Sequence, residues 1–315
     1  MKDDNTLFDN GRVSLILDFD LDERHHTKEM TQAMQRISVS GVQEKFPAVV
    51  DGVKIRLAEA GERSTHILKP APWDATLLDR SQIPINENLT MQIALQVYGI
   101  HVAANGLCTT PSNRNVYITR RFDIGPNGEK YPMEDMATLI GKSEAIGGTV
   151  FKYNGSYMDI AQCIRRYIPA WMPEMERFFE LVVFNYIYAN GDAHLKNFSV
   201  ILKDGDYRLT PAYDLLNTAL HVRDEDFALD GGLSPVIPRS PIYSLTGHPC
   251  RKDFEWFGEA IGLVDRRKHR ILDKFMSLPE PAMLLVKQSR LTEKSKRNYL
   301  RIVNERINRF VRKNN

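Results

Sequence analysis

The stretch NGDAHLKNF, from Asn190 to Phe198, places several polar residues directly after an apolar run. Burying polar groups costs free energy unless each finds a partner, so such a cluster is typical of a cleft or a helix cap. Asp192 and Asn197 stand five residues apart within it. A carboxylate can orient a hydroxyl group, and an amide oxygen is a ligand that Mg²⁺ accepts. This pair therefore has the groups needed for metal-assisted chemistry on a hydroxyl substrate.

The same spacing separates the catalytic-loop aspartate and asparagine of protein kinases. Asp214 follows in PAYDLLNT, after a segment that predicts a hairpin folded at 203–206. The hairpin would return Asp214 to the side of Asn197, as the second metal-binding aspartate of kinases returns beyond a strand pair. Here the local string is Tyr-Asp-Leu rather than Asp-Phe-Gly.

Two upstream residues fit the same chemistry. Lys69 ends a predicted strand and Glu87 starts the next predicted helix, as in the kinase pair that holds the α- and β-phosphates. The segment SGVQEK, at 40–45, lies where a phosphate-covering loop belongs, but it has a single glycine and fails the G-x-G-x-x-G pattern. Taken singly, Lys69 is more typical of a solvated strand end, and Asn190-Gly191 of a plain helix C-cap. The order of all these features along the chain favours a kinase.

The elements predicted around these residues are strands with one helix, followed by helices with one hairpin. Alternation around Asp51-Gly52 indicates a hairpin, and helical spacing recurs through the second half. This order predicts an α+β, bilobal, protein-kinase-like fold. We expect a smaller, β-rich N-lobe over 1–123 and a mostly helical C-lobe over 124–315, divided at the Gly- and Pro-rich DIGPNGEKYP.

Composition excludes several classes of protein. The chain has 315 residues, 43% hydrophobic residues and a net charge of +2, which gives no global signal for nucleic-acid binding. Three widely separated cysteines make a disulfide framework or a zinc ribbon unlikely and favour the cytoplasm. The N-terminus lacks the apolar region of a signal peptide. No apolar run approaches the roughly 20 residues that span a bilayer, so no membrane partner is expected.

Several motifs resemble those of the HipA family of serine/threonine kinases, the toxins of type II toxin–antitoxin systems. They are ISVSGVQEK, THILKP, ITRRFD, NGDAHLKNFSV and AYDLLNT, and the resemblance runs from about Arg36 to the C-terminus. It implies ATP and Mg²⁺ as cofactors, with Asp192 as the catalytic base and Asn197 and Asp214 as metal ligands. It also implies self-phosphorylation at Ser38, at Ser40 or at both, because the loop carries an S-x-S pattern.

The resemblance further implies which residues surround the nucleotide. Arg120, Arg121 and Phe122 match the segment that holds adenine, and Lys69 contacts phosphates with Glu87 as its partner. The remaining predicted nucleotide-binding residues are Ser40, Gly41, Val42, Gln43, Glu44, Lys45, His194, Lys196, Asn197, Tyr213 and Asp214.

Only thirty-six or so residues precede the loop, whereas long family members carry a further subdomain there. The chain therefore resembles the short form, HipT. That resemblance implies a small HipS-like partner, a HipB-like DNA-binding antitoxin that links the chain indirectly to DNA, and an aminoacyl-tRNA synthetase as substrate.

Two other classes of function remain open from the residues. Asp192, His194 and Asp214 could form a metal-dependent hydrolase site. The basic C-terminal tail could instead meet nucleic acid or a protein partner, although a solvated helix face is the favoured interpretation. Its cations are Lys287, Arg290, Lys294, Lys296, Arg297, Arg301, Arg306, Arg309, Arg312 and Lys313.

Overall fold

The computed structural model describes residues 6–8, 13–21 and 43–312. Five antiparallel strands form the first sheet, in the order β2-β1-β3-β5-β4. They are β1 (Phe46–Asp51), β2 (Lys54–Leu57), β3 (His66–Lys69), β4 (Asn105–Thr109) and β5 (Asn115–Arg120). The predicted β1–β2 hairpin is confirmed, and Gly52 supplies its turn with a φ of 59°.

Helix α1 (Ile83–Gln96) packs against β4 and β5. Ten of its residues are buried, on more than one face, because the helix lies between this sheet and the helices that follow. It begins at Ile83, with Pro84 in its first turn, where a missing N–H costs nothing. The sequence predicted Glu87 at the start of this helix. In the structure Glu87 lies in the second turn of α1, because the helix begins earlier, at Ile83.

A second antiparallel sheet joins β6 (Met133–Asp135), β7 (Ser199–Lys203) and β8 (Asp206–Leu209) in the order β6-β7-β8. The predicted turn between β7 and β8 is confirmed. Asp204 and Gly205 both adopt positive φ there, at 55° and 82°. This hairpin lies between the catalytic-loop segment and Asp214, so its length sets where Asp214 returns.

The second half of the chain is mostly helical, as predicted. The helices are α2 (Met136–Leu139), α3 (Glu144–Gly147), α4 (Tyr157–Tyr167), α5 (Trp171–Ile187), α6 (Pro241–Thr246), α7 (Arg251–Ala260), α8 (Asp265–Asp273), α9 (Glu280–Gln288) and α10 (Glu293–Phe310). Ser156 and Asp159 form a capping box that starts α4. Helix α5 is the central element, and its buried Phe178, Phe179 and Phe184 join the large core.

The basic tail forms two helices, α9 and α10, and many of its cations are paired. Arg306 is only 6% exposed and contacts the Asp226 carboxylate, which Arg309 also approaches at 3.2 Å. Lys294 and Arg301 pair with Asp79 and Glu305. The contacts of Lys294, Arg306 and Arg309 tie the tail to the rest of the molecule, and Arg301–Glu305 is a pair within α10. This pairing supports the solvated-face interpretation over a basic stripe reserved for nucleic acid.

All three cysteines are free and buried. Within the described ranges, no helix combines the length and apolar character needed to cross a membrane. The division between 123 and 124 stays a prediction, although β5 ends just before it and the next strand, β6, belongs to the second sheet.

Candidate active site

A buried ion pair joins strand β3 to helix α1 at the site. Lys69 ends β3, and its Nζ lies 2.5 Å from Glu87 Oε1 of α1, with both residues at most 3% exposed. Lys69 also donates to the Asp214 carboxylate. Burial alone would lower the pKa of Lys69, but the Asp214 and Glu87 carboxylates raise it above its ordinary value. Lys69 is therefore a charged, buried lysine and not the solvated strand end that its local sequence suggests.

Asp214 is the meeting point of the charged side chains. Its carboxylate accepts from Lys69, from Lys45 Nζ at 3.4 Å and from Asn197 Nδ2 at 3.3 Å. Burial acts to raise the pKa of Asp214, but the Lys45 and Lys69 charges lower it below its usual range. The residue adopts a φ of 55°, a strained conformation for a non-glycine residue that typically occurs at functional sites.

The catalytic-loop segment begins with a left-handed residue just after α5. That residue is Ala189, with a φ of 53°, and not Asn190 or Gly191. Asn190 donates from Nδ2 to Asn185 Oδ1 at 2.9 Å and to the Asp214 backbone carbonyl at 3.2 Å. Asn190 therefore links the end of α5 to Asp214 instead of acting as a plain helix cap.

Gly191 is required by a close approach. A Cβ at this position would overlap the Asp224 carboxylate, and the Gly191 N–H donates to Thr218 Oγ1 at 2.8 Å. Thr218 Oγ1 also contacts Ala189 O at 2.9 Å and Asp224 Oδ2. A hydroxyl has one proton to donate. All three bonds are satisfied when Asp224 is protonated, and burial raises the pKa of that carboxyl.

Asp192 lies in the loop that this network fixes. Tyr153 donates its hydroxyl to Asp192 Oδ1 at 2.8 Å, which fixes one oxygen of that carboxylate. Asn197 accepts at Oδ1 from the His194 backbone N–H at 3.2 Å. Asp192 and Asp214 both line one cleft between the sheet, α1 and the loop.

The lining of that cleft is charged at one end and apolar at the other. Its residues are Gln43, Lys45, Lys69, Pro72, Leu77, Ile83, Glu87, Asp192, Asp214, Leu216, Thr218, His221 and Val222. It brings together six of the predicted site residues: Gln43, Lys45, Lys69, Glu87, Asp192 and Asp214. Glu44, which stands between Gln43 and Lys45 in the sequence, is also buried, with 5% of its surface exposed. Ser38, Ser40, Gly41 and Val42 lie outside the described residues.

His194, Lys196 and Tyr213 surround the other side of the loop. His194 is 3% exposed, and burial lowers its pKa to about 4. Tyr213 donates to the Lys196 backbone carbonyl at 2.7 Å, and the Lys196 ammonium lies 5.9 Å from the Phe151 ring centroid. These contacts hold the loop against β7 and the turn at 151–153.

Most side chains of the segment predicted to bind adenine, Arg120 to Phe122, do not face the cleft. The Arg121 guanidinium pairs with Asp123 at 2.6 Å and donates to Ser64 Oγ at 3.0 Å. Arg120 and Arg121 line a different surface cavity, beside His66. Only the Phe122 ring turns toward the site, 5.5 Å from the ring of Tyr213. If this segment binds adenine, the contacts would come from its backbone and from the Phe122 ring.

Sequence reasoning missed Lys152, Tyr153, Thr218 and Asp224. Lys152 and Tyr153 form a 3₁₀ turn about forty residues before Asp192, within a stretch that carries no motif or periodicity. Thr218 closes the AYDLLNT motif, which could have drawn attention to it. No local signal marks Asp224, because its importance comes from the fold around Gly191.

The hydrolase alternative finds no support in this geometry. Among the residues that the structure describes, no group of three or more His, Cys, Asp or Glu side chains is arranged to hold a metal ion. The His194 ring nitrogens also lack hydrogen-bond partners within the described part of the chain. Among the described residues, Asp192, His194 and Asp214 are therefore not arranged as a three-residue ligand set.

Comparison with known proteins identifies relatives of the chain. The chain is 26% identical over 285 residues to a putative kinase of Haemophilus influenzae, which covers 86% of this chain and 79% of the relative. It is 25% identical over 219 residues to the serine/threonine-protein kinase toxin HipA of Shewanella oneidensis, covering 63% and 46%. Across the curated relatives it spans between 43% and 79% of their length.

A solved structure shares the fold. It is HipA of the Shewanella oneidensis MR-1 toxin–antitoxin system, in a complex with HipB and its operator DNA. The TM-score is 0.68 at 20% identity, and the match covers 87% of this chain and 65% of that one. This likeness confirms the predicted α+β, HipA-like, bilobal fold. The family model for the HipA-like C-terminal domain matches residues 37–279, so the chain belongs to that family.

Proposed function

We propose that this chain is a protein serine/threonine kinase that transfers the γ-phosphoryl group of ATP to a hydroxyl. One observation carries the proposal. The buried Lys69–Glu87 pair converges on Asp214, and Asp214 meets Asn197, in the cleft that Asp192 also lines. Phosphoryl transfer needs this combination of a phosphate-binding cation, metal-binding oxygens and a carboxylate for the hydroxyl.

The residues present fit Mg-ATP. Asn197 and Asp214 supply the amide and carboxylate oxygens that suit a hard cation, while Lys45 and Lys69 supply ammonium groups for phosphate oxygens. Glu87 pairs with Lys69 at 2.5 Å and fixes that ammonium in the cleft that both residues line. Bound Mg²⁺ would neutralise the charge on the phosphate oxygens.

The chain's own residues would act mainly by positioning. Asp192 would orient the acceptor hydroxyl and take its proton, with Tyr153 fixing one carboxylate oxygen at 2.8 Å. Thr218 and Asp224 would hold Gly191 and therefore the loop that carries Asp192. A preorganised loop lowers the barrier because no group must move into place during the reaction.

We extend the proposal to the toxin of a type II toxin–antitoxin system. A relative is named a serine/threonine-protein kinase toxin, and the structural relative was solved with HipB and operator DNA. The proposed partners are a HipB-like antitoxin and a HipS-like small protein, and the proposed substrate is an aminoacyl-tRNA synthetase. Self-phosphorylation at Ser38 or Ser40 would add up to two negative charges near the ATP phosphates and lower ATP affinity.

Intact mass tests the assignment. Purified chain would be incubated with Mg-ATP beside Asp192→Asn, followed by peptide mapping across 38–45. The proposal expects one or two added phosphates in wild type, on Ser38 or Ser40, and none in the variant. A chain that starts unphosphorylated, gains no phosphate and binds no ATP would refute the kinase assignment.

A further inference from the structure

Lys152 is a buried cation whose ammonium lacks a hydrogen-bond acceptor. It is 2% exposed, and its Nζ has no hydrogen-bond partner among the residues that the structure describes. The Tyr153 ring offers a cation–π contact, with its centroid 4.9 Å from Nζ. An ammonium removed from water costs several kcal/mol unless partners replace its hydration. Its retention here points to an anionic ligand that completes the site.

The charges that act on Lys152 are those of the candidate active site. The Asp192 and Asp214 carboxylates favour its charged form, and the Lys45 and Lys196 ammonium groups oppose it. Burial is the strongest influence and lowers the pKa of Lys152 to about 8, so the side chain is mainly charged at neutral pH. With the Lys69–Glu87 pair beside Asp214, four ammonium groups and three carboxylates meet at the site, and this excess of cations favours an anionic ligand.

His194 adds a second polar group without partners at the same place. Its ring meets the Tyr153 ring edge-on, with centroids 5.3 Å apart. Neither ring nitrogen has a hydrogen-bond partner within the described part of the chain. An imidazole has at least one ring N–H in either of its ordinary protonation states, so His194 offers a donor here. An ammonium and an imidazole N–H, joined through Tyr153 to Asp192, suit a compact anion with several acceptor oxygens.

We propose that Lys152 and His194 form a subsite for the phosphoryl group in transfer, with Lys152 as a further catalytic residue. This inference rests on the kinase activity proposed above. As the acceptor oxygen forms its bond to the γ-phosphorus, the bond from that phosphorus to the β–γ bridging oxygen breaks, and ADP leaves with the electron pair. Asp192 takes the hydroxyl proton. Lys152 stays protonated throughout and binds equatorial oxygens of the moving group.

Isothermal titration with a phosphoryl mimic tests this subsite directly. Mg-ADP is titrated with and without aluminium fluoride, which occupies the position of the transferred group. The variants are Lys152→Met and a control, Lys203→Met. Lys203 also lies over a tyrosine ring, 5.4 Å from the Tyr131 centroid, but it stands at the turn end of β7, the end farther from Asn197.

Wild type and Lys203→Met should bind Mg-ADP more tightly when aluminium fluoride is present. Lys152→Met should bind Mg-ADP alone with an affinity within about twofold of wild type. The increase in affinity that aluminium fluoride causes should be at least about tenfold smaller in this variant than in wild type, because the lost contact is made only in the transition state. The phosphorylation rate should fall about 100-fold with little change in the KM for ATP.

Other outcomes are equally decisive. If Lys152→Met keeps the full gain and the full rate, Lys152 is structural and the inference fails, while wild-type phosphorylation leaves the kinase proposal standing. An active wild type that gains nothing from fluoride would also count against the subsite. A wild type that neither binds Mg-ADP nor transfers phosphate would overturn both proposals. If Lys152→Met does not fold, Lys152→Gln, which keeps a polar group, takes its place in the same titrations.

Discussion

Asn197 and Asp214 lie 17 residues apart in the chain, yet Asn197 Nδ2 donates to Asp214 Oδ2 at 3.3 Å. The β7–β8 hairpin accounts for the contact, because it leaves from Asn197 and returns the chain to the same point. Two side chains able to bind one hard cation are thereby placed by a rigid strand pair rather than by a long loop. Sites held by such elements keep their geometry better than sites on free loops.

A side chain at position 191 would require the Asp224 carboxylate to leave its hydrogen-bonded place. We expect Gly191→Ala to lower the free energy of unfolding by about 2 kcal/mol or more, since the new Cβ would overlap the Asp224 carboxylate. Urea unfolding measures the change. Gly155→Ala is the control, because its Cβ would lie 3.3 Å from Asp159 Oδ2 and needs only a small shift.

The double variant Gly191→Ala/Asp224→Ala separates overlap from other causes. Removing the carboxylate makes room for the Cβ, so the two substitutions should be less destabilising together than the sum of each alone. Purely additive costs would show that Asp224 is not the group that excludes a side chain at 191.

Tyr153 should matter to the rate more than to nucleotide binding. Tyr153→Phe removes the 2.8 Å hydrogen bond to Asp192 Oδ1 and lets the carboxylate rotate. We expect phosphorylation to slow by about tenfold with an unchanged KM for ATP, which is the pattern for lost orientation. Tyr207→Phe, on the half-exposed tip of β8, serves as the comparison and should be silent. Equal rates for both variants would remove Tyr153 from the account.

His194 should make the protein sensitive to mild acid. The unfolded chain binds a proton at His194 near pH 6.5, whereas burial lowers the folded-state pKa to about 4. Between those values the unfolded state holds more protons, so stability falls as the pH falls, by up to about 3 kcal/mol. His194→Gln should remove this part of the pH dependence between pH 6.5 and 4. A variant with the wild-type slope in that window would show that other groups cause the acid sensitivity.

The Lys69–Glu87 pair should show the asymmetry of buried ion pairs. Glu87→Leu leaves the Lys69 ammonium with Asp214 alone and should cost about 3 kcal/mol, whereas Lys69→Met/Glu87→Leu removes both charges and should cost less. Glu305→Leu, which breaks the exposed Arg301–Glu305 pair, should cost under about 1 kcal/mol. If the double variant were the least stable of the three, the pair itself would be a net stabilising contact.

The sequence predicted much of the site because its signals are local. The Asp204-Gly205 pair predicts the β7–β8 turn. Lys69, Glu87 and Asp192 follow one another along the chain in the order and with the approximate spacing found in kinases. The elements missed, β4 and β6, are short: β6 pairs with the distant β7, and β4 pairs with β5, the next strand along the chain. Their strand character comes from those partners and not from their own residue pattern.

Burial of charge is what sequence could not predict. Lys69 has the local context of an exposed residue and becomes buried only because α1 and Asp214 cover it. Tyr153 and Asp224 reach the loop from segments without motifs, so their contacts appear only in three dimensions. In the same way, the sequence suggested that the tail's cations were available to bind nucleic acid, whereas in the structure Arg306 pairs with Asp226.

One measurement tests the central claim most directly, namely that Asp192 performs the transfer in a cleft that binds ATP independently of it. Single-turnover transfer from γ-labelled Mg-ATP would be followed in wild type, Asp192→Asn and the surface control Asp206→Asn, with ATP affinity measured in parallel. The account predicts transfer slowed by at least about 10³-fold in Asp192→Asn, with ATP affinity within a few-fold of wild type and an unaffected control. Undiminished transfer by Asp192→Asn would contradict it.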